Sequence, residues 1–181
     1  MSYATFQNKS TLNNLPSNWA VRKFTDIVLD VSAGNDKVKK RDYRTKGKYP
    51  VIDQSQSLVA GYTSDHRPVK AKGPCIVFGD HTRAVKYVEF PFVMGADGVK
   101  VLICDENVLT KYIYYFLNSI EIPDTGYNRH FKFLKDLSIP LPPLEEQKRI
   151  ADILDKAQQL INDRKKAIEK LSLLQKVQFE K

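Results

Sequence analysis

Hydrophobic runs in the first 139 residues are short, rich in Val, Ile, Phe and Tyr, and interrupted by Gly, Pro and Asp. Such runs are typical of β-strands bounded by turns. They predict strands in YPVIDQ, GPCIVFGD, AVKYVEF and GVKVLICD, and a first strand in NWAVRKF. The stretch TDIVLD after the first strand is open to interpretation as one short helix capped by Thr25.

Two later segments have helical spacing. In ENVLTKYIYYFLNSI the apolar residues recur every three or four positions, and Asn107 is a plausible N-cap. The apolar positions are Leu109, Ile113, Phe116, Leu117 and Ile120. NRHFKFLKDL predicts a second short helix. Together these elements predict an α+β fold, with a compact, strand-rich domain over residues 1–139.

The pattern changes at Pro140. Neither Gly nor Pro occurs after Pro143, which predicts one helix over residues 144–180. Glu145 and Glu146 would lie near the positive end of its dipole. At 1.5 Å per residue this helix would be about 55 Å long, so part of it should project from the domain. The chain therefore divides into a domain of residues 1–139 and a helical segment of residues 140–181.

Apolar residues of this helix repeat every seven positions, which is typical of a coiled-coil seam. The predicted seam positions are Ile150, Ile153, Leu154, Ala157, Leu160, Ile161, Arg164, Ala167, Ile168, Leu171 and Leu174. The alternative is a helix packed along its own domain, but its length argues against this for the distal half. An exposed stripe of this size requires a partner helix. Arg164 on the seam would fix register or orientation rather than add stability.

The net charge of +8 lies mainly in the domain, where 20 Lys and Arg face 14 Asp and Glu. A basic surplus suits a polyanionic partner, although many basic proteins bind none. The stretch DKVKKRDYRTKGK is the most basic, and it is equally well interpreted as a solvated loop or as a phosphate-binding loop. Its candidate DNA contacts are Lys37, Lys39, Lys40, Arg41, Arg44 and Lys46.

Three further polar stretches carry side chains that can read DNA, because Asn pairs with adenine, Arg with guanine, and Tyr stacks or contacts phosphate. The candidates are Gln54, Gln56 and Tyr62 in DQSQSLVAGYTSDHR; His81, Thr82, Arg83 and Lys86 in GDHTRAVKY; and Tyr127, Asn128, Arg129 and His130 in DTGYNRHFK. The alternatives are structural. Asp80 could hold a turn by accepting hydrogen bonds from backbone amides, with His81 packed beside it, and Asn128 could cap a helix.

Catalytic and metal-binding motifs are missing from the sequence. Neither a metal-ligand spacing nor a catalytic Ser or Cys motif occurs, and there is no phosphate-binding glycine loop, methyltransferase tetrapeptide or nuclease core. The sequence thus favours a protein without a catalytic site, metal or cofactor of its own. Cys75 and Cys104 lie in apolar runs and are expected to be buried thiols. Residues 1–14 are polar and no apolar run approaches a membrane span, so we expect a cytoplasmic location.

The stretch LSIPLPPLEEQKRIADILDKAQQLI resembles the central segment of type I restriction–modification specificity subunits, the HsdS family. There a proline-rich turn leads into P-L-x-E-Q-x-x-I-A-x-x-L-D. The opening LPSNWAVRKFTDIV resembles the start of a target recognition domain of that family. The resemblance covers Leu15 to about Leu174. A full specificity subunit has two recognition domains and two helical segments, whereas one of each is seen here, as in a half-subunit.

The resemblance implies a specificity subunit without catalytic activity that recognises a bipartite target in double-stranded DNA. It further implies an antiparallel homodimer, or pairing with a second half-subunit. The expected partners are methyltransferase (M) and restriction (R) subunits, which would carry the S-adenosylmethionine, ATP and Mg²⁺ for adenine-N6 methylation and cleavage. The alternatives are a structural assembly adaptor that does not read DNA and a truncated specificity subunit. A stand-alone nuclease is disfavoured, because no acidic metal cluster is present.

Overall fold

The computed structural model describes residues 15–126 and 128–179, with side chains as far as residue 175. The strands are β1 (Ala20–Lys23), β2 (Val28–Asp30), β3 (Lys37–Val38), β4 (Tyr49–Ile52), β5 (Gly61–Thr63), β6 (Cys75–Gly79), β7 (Val85–Val88), β8 (Val93–Gly95), β9 (Val99–Cys104) and β10 (Ser138–Leu141). The α-helices are α1 (Phe24–Ile27), α2 (Thr110–Ser119), α3 (Phe131–Lys135) and α4 (Leu144–Phe179), and a 3-10 turn covers Lys40–Asp42.

The predicted α+β class is confirmed, and the five predicted strands are present as β1, β4, β6, β7 and β9. The prediction of one helix in TDIVLD is wrong, because α1 is a single turn and Val28 already begins β2. Lys23 occupies the N-cap position of α1, and no side chain caps it, so Thr25 is not a cap. The missed strands β2, β3, β5 and β8 have two or three residues each, which is too short for alternation to be recognised. Strand β10 was also missed, and it contains Pro140, a residue type that argues against a strand.

The central sheet has the strand order β2-β9-β6-β7 and is antiparallel throughout. Strand β6 is buried along its whole length. Ile76 and Phe78 pack into a core formed with α1, α2 and α3, whereas Cys75 and Val77 pack into a second core. Alternate side chains of a strand point to opposite faces, so burial on both faces explains why β6 reads as an unbroken apolar run.

The second sheet has the order β3-β8-β4-β5. Strands β3 and β4 run parallel to β8, and β5 is antiparallel to β4. Ile52 from β4 and Met94 from β8 belong to the same buried core as Val77 and Val101 of the central sheet. This shared core fixes the loops of the second sheet relative to those of the first.

Helix α2 begins without a side-chain cap of its own, so the prediction of Asn107 as its cap is wrong. Leu109 is at the N-cap position. Its backbone N–H instead donates to Oε1 of Gln147, at 2.8 Å. Gln147 lies on α4 and is 1% exposed. A side chain 38 residues further along the chain thereby satisfies a donor at the start of α2.

The domain and the long helix are joined through a two-stranded ribbon. Strand β10 pairs antiparallel with β1, and the division expected at Pro140 falls inside β10. Helix α4 starts at Leu144. Its first turns pack on the domain, and Ile150 contacts the domain core, so this position of the expected seam is covered in part. The other seam positions are exposed, among them Leu160 at 62% and Ile168 at 63%. None of the helices in the described part of the chain is both long and apolar enough to span a membrane.

Candidate nucleic-acid interface

Three loops meet at one edge of the central sheet, where Gly79 at the end of β6 pairs with Val99 at the start of β9. The amide of Asp80 donates to the carbonyl of Gly98 at 2.6 Å. Gly98 has a φ of +64°, and a Cβ there would lie 2.6 Å from Cδ2 of His81 and 2.8 Å from Oε1 of Gln54. Glycine is favoured here, because other residues rarely adopt this φ and a Cβ would crowd the His81 and Gln54 side chains.

Asp80 connects this edge to α3. Its carboxylate Oδ1 accepts from the backbone N–H of Phe131 at 2.7 Å. Its carbonyl accepts from the backbone N–H of His130 at 2.8 Å and lies 2.9 Å from Nδ1 of the same residue. The sequence offered the alternative that Asp80 accepts hydrogen bonds from backbone amides, and it does so here. The amide belongs to Phe131 of α3, however, and not to the turn that contains Asp80.

Arg83 holds the loop that precedes α3. Its φ of 60° lies in the left-handed region, and its own N–H donates to the carbonyl of Gly79 at 2.7 Å. The guanidinium donates to the carbonyl of Ile122 at 3.1 Å and to the carboxylate of Asp124 at 2.8 Å. The N–H of Gly126 and the charge of Arg83 lower the pKa of Asp124. Arg83 therefore supports the loop that carries Asn128 and Arg129.

Gln54 and Thr82 link the β4–β5 loop to the same edge. The Thr82 hydroxyl donates to the carbonyl of Gln54, and the N–H of His81 donates to Oε1 of Gln54 at 3.3 Å. Nδ1 of His81 lies 3.2 Å from the carbonyl of Asn128. Residues predicted from three separate stretches of sequence therefore contact one another.

Two predicted DNA contacts are buried, so the prediction of direct contact does not hold for them. His130 is 0% exposed and Lys86 is 6% exposed. Nζ of Lys86 donates to the carbonyl of Asp53 at 2.6 Å. Burial lowers the pKa of this lysine, and the charge of Asp53, which raises the pKa, offsets this only in part. Both side chains therefore hold loops in place through hydrogen bonds in the protein interior. Tyr127 lies outside the described residues.

A cleft of about 320 Å³ opens at this edge, and Lys37, Lys100 and Arg129 all line it. Lys100 pairs with Asp30 at 2.8 Å. Burial raises the pKa of Asp30, but hydrogen bonds from Lys100 and Ser32 outweigh it, and the pKa is lowered. Within residues 15–126 and 128–179, Lys37 and Arg129 have no carboxylate at ion-pair distance. The cleft group consists of Lys37 and Arg129, which line the cleft, and of Gln54, His81, Thr82 and Asn128 in the adjoining loops.

A second group of cations lies on the β3–β4 connection of the other sheet. The basic loop comprises Lys39, Lys40, Arg41, Arg44 and Lys46, all of which are exposed. Arg44 pairs with Asp65 at 2.6 Å, and Arg41 with Asp42 at 3.8 Å. Tyr62 exchanges backbone hydrogen bonds with Arg44 and so belongs beside the basic loop. Gln56 is exposed and lines a separate groove with Tyr114 and Tyr115.

Sequence reasoning missed Asp53 and Asp124, which shape the loops. Oδ1 of Asp53 accepts from the N–H and hydroxyl of Ser55 at 2.9 and 2.6 Å, and Oδ1 of Asp124 accepts from the N–H of Gly126 at 3.0 Å. The patterns D-Q-S and D-T-G are typical of such turns and could have identified both. Among the described residues, no three His, Cys, Asp or Glu side chains are grouped to hold a metal ion.

Comparison with known proteins connects this geometry to a family. The family model of the type I restriction modification DNA specificity domain matches residues 16–170. The chain is 33% identical over 133 residues to the EcoR124I/EcoR124II specificity subunit of a type I restriction enzyme from Escherichia coli, covering 66% of this chain and 33% of that protein. It is 27% identical over 211 residues to the MjaX specificity subunit from Methanocaldococcus jannaschii, covering 96% of this chain and 47% of that protein. The chain thus spans less than half the length of either relative.

Solved structures share the fold at low sequence identity. A chain from a type I restriction–modification complex matches with a TM-score of 0.64 and 21% identity, over 85% of this chain and 42% of that one. The S subunit from M. genitalium matches with a TM-score of 0.63 and 16% identity, over 93% of this chain and 48% of that one. The chain therefore belongs to the family of type I restriction modification DNA specificity domains.

Proposed function

We propose that this chain acts as the DNA specificity (S) subunit of a type I restriction–modification system, or as one half of such a subunit. In this role its domain reads one half-site of a bipartite target and performs no chemistry of its own. The observation that carries the proposal is the cleft at one edge of the central sheet, which exposed Lys37 and Arg129 line, with exposed Asn128 next to Arg129 in the chain. Family membership supports the same function.

Base readout is assigned to the exposed part of the cleft group. A guanidinium such as that of Arg129 forms two hydrogen bonds with the major-groove edge of guanine, and an amide such as that of Asn128 does so with adenine. Both residues sit directly before His130, which is buried and bonded to Asp80. Such pre-ordering of the loop favours affinity, because few backbone conformations must be given up on binding.

Phosphate anchoring is assigned to the basic loop. Each phosphate that a cation neutralises releases condensed counterions and strengthens binding to any sequence. Lys39, Lys40 and Lys46 are exposed and available for this role. Arg41 and Arg44 would give up exposed ion pairs, which contribute only about 0–1 kcal/mol each. A phosphate therefore competes well for both guanidinium groups.

Assembly is assigned to the seam of α4. Its side chains beyond Ile150, including Leu160 and Leu171, are exposed. A second copy running antiparallel covers this seam, and its own seam is covered in turn by two-fold symmetry. The second copy also supplies the domain that recognises the second half-site. Pairing with another half-subunit would close the seam in the same way. We further propose that the M and R subunits dock on this assembly, and that they carry the S-adenosylmethionine, ATP and Mg²⁺ in the cytoplasm.

The test is selection of duplex DNA from a random pool by the purified chain, followed by titration at several salt concentrations. We expect enrichment of a two-part sequence and an affinity that falls steeply with salt. Binding to duplexes that is absent, or insensitive to salt, would overturn the proposal in favour of an assembly adaptor. Cleavage by the pure chain with a divalent metal would overturn it in favour of a nuclease.

A further inference from the structure

Helix α4 rests on the domain through a narrow face that includes Ile150. Gln147 and Ala151 are each 1% exposed, and Asp155 is half-buried. These positions are four residues apart and therefore lie on one face of the helix. From residue 156 to residue 175, every side chain is exposed. Asp155 is thus the last point at which the described helix is held by its own domain.

Asp155 is held by two side chains of α2. Nζ of Lys111 donates to Oδ2 at 2.9 Å, and the hydroxyl of Tyr115 donates to Oδ1 at 2.6 Å. Lys111 and Tyr115 are four residues apart and therefore face the same side of α2. Nζ of Lys111 also lies 4.9 Å from the ring centroid of Tyr87 on β7. We name these three residues, Asp155, Lys111 and Tyr115, the Asp155 clamp.

The two carboxylate oxygens have separate partners on a single element, so the clamp restricts rotation as well as distance. Burial raises the pKa of Asp155, but the hydrogen bonds from Tyr115 and Lys111 outweigh it, and the pKa is lowered. The hydrogen bond to Asp155 raises the pKa of Lys111. Both groups are therefore charged near neutral pH, and the contact is maintained there.

Beyond Asp155 the helix projects from the domain, so a small change in its angle at Asp155 moves its far end by a larger distance. From Asp155 to Phe179 the helix continues for about 36 Å at 1.5 Å per residue. A change of about 10° at Asp155 would displace its far end by about 6 Å, close to two base pairs at 3.4 Å each. A small change in angle would therefore alter which spacing between two half-sites both domains can reach.

We infer that the Asp155 clamp sets the angle at which α4 leaves the domain, and that it thereby selects the length of the spacer between the half-sites. The spacer function rests on the proposed recognition of a bipartite target, whereas the angle does not. Asp155, Lys111 and Tyr115 are positioning residues and need not touch DNA. Three variants, Asp155→Ala, Lys111→Met and Tyr115→Phe, remove the carboxylate or one of its partners.

The first measurement follows the angle without DNA. Spin labels are attached to cysteines introduced at the exposed Lys23 and Lys170, in a Cys104→Ser background. Cys75 is 2% exposed and burial raises its pKa to about 12, so it escapes labelling. Labelled chains are diluted with unlabelled chains to isolate distances within one chain. We expect the distance distribution to become at least twofold broader in Asp155→Ala, and an unchanged distribution would overturn the inference.

The matched control is Lys148→Ala. Lys148 pairs with Glu145 within the same helix, at 2.7 Å and on an exposed face. Its loss removes a cation and an ion pair from α4 but leaves the contact with α2 intact. We expect the distribution to keep its wild-type width in this variant. Equal broadening in Lys148→Ala would show that the effect is not specific to the clamp.

The second measurement compares duplexes whose spacer differs by one base pair in either direction. In the clamp variants we expect the preference for the best spacer to fall at least fivefold, with affinity for an isolated half-site within twofold of wild type. A broadened distance distribution with an unchanged spacer preference would overturn the specificity role. If the wild-type chain binds no duplex, the proposed function fails, while the distance measurement still decides the role in setting the angle.

Discussion

The imidazole Nδ1 of His130 donates a hydrogen bond to the backbone carbonyl of Asp80 at 2.9 Å, across 50 residues of sequence. A carbonyl oxygen only accepts, so Nδ1 carries the proton. Nε2 then accepts from the N–H of Thr125, at 3.5 Å. One buried ring thus joins the end of β6 to both ends of the loop that presents Asn128 and Arg129.

Removing the carboxylate of Asp80 should destabilise the domain. Asp80→Ala leaves the buried N–H of Phe131 without its partner, and such a loss costs about 1–3 kcal/mol. Urea unfolding followed by fluorescence measures the change. The control is Asp65→Ala, which removes an exposed carboxylate paired with Arg44 and should alter stability by less than about 0.5 kcal/mol. Equal effects of the two variants would contradict a buried role for Asp80.

Arg129 should contribute to sequence discrimination. Arg129→Ala is expected to lose about 1–3 kcal/mol on the preferred duplex and less on random DNA, because a bidentate contact to guanine is sequence-dependent. Fluorescence anisotropy with both duplexes measures this. Lys72→Ala is the control, since this exposed cation precedes the opposite end of β6. Equal losses on both duplexes would make Arg129 a phosphate contact.

The basic loop should determine the dependence of binding on salt. Changing Arg41 and Arg44 to Ala is expected to weaken binding to all duplexes alike, and to reduce the slope of log K against log salt by roughly two units if both contact phosphate. The double variant of Lys39 and Lys40 tests the neighbouring cations in the same way. A slope that stays at its wild-type value in both variants would show that the loop faces away from DNA.

Charge on the seam should abolish self-association. Leu160 and Leu171 are each 62% exposed in the single chain, and burying a carboxylate between paired helices is strongly unfavourable. Leu160→Glu with Leu171→Glu should therefore yield monomers in light scattering and sedimentation equilibrium. Gln159→Glu is the control, because it adds charge away from the seam. A wild-type chain that remains monomeric at high micromolar concentration, alone and with the proposed methyltransferase partner, would refute the proposed dimer.

The Asp155 clamp should give stability a defined dependence on pH. The folded-state pKa of Asp155 lies below its ordinary value of 3.8. Its contribution is therefore fully present above about that pH and is lost as the pH falls through the folded-state pKa. Asp155→Asn should be less stable than wild type at pH 7, and the difference should shrink in acid. A difference that is independent of pH would mean that the carboxylate charge contributes nothing.

Local patterns determined much of this protein. Strand β6 could be predicted because it is a short apolar run bounded by Gly and Pro, and helices α2 and α3 because their apolar side chains recur at helical spacing. Helix α4 could be predicted because a chain segment without Gly or Pro, carrying a seven-residue repeat, has few other regular conformations. Family membership was likewise recognisable from the motif at Pro143–Asp155.

Tertiary structure decided which polar residues face outward. Asn128, Arg129 and His130 are consecutive polar residues, yet His130 is fully buried because Asp80, 50 residues away, supplies a partner for its ring. The line of contact between α4 and the domain was equally hidden. Gln147, Ala151 and Asp155 are polar or small, so they leave no hydrophobic period, and their partners Leu109, Lys111 and Tyr115 lie about 40 residues earlier. Long-range hydrogen bonds have no local signature, and only the folded chain shows them.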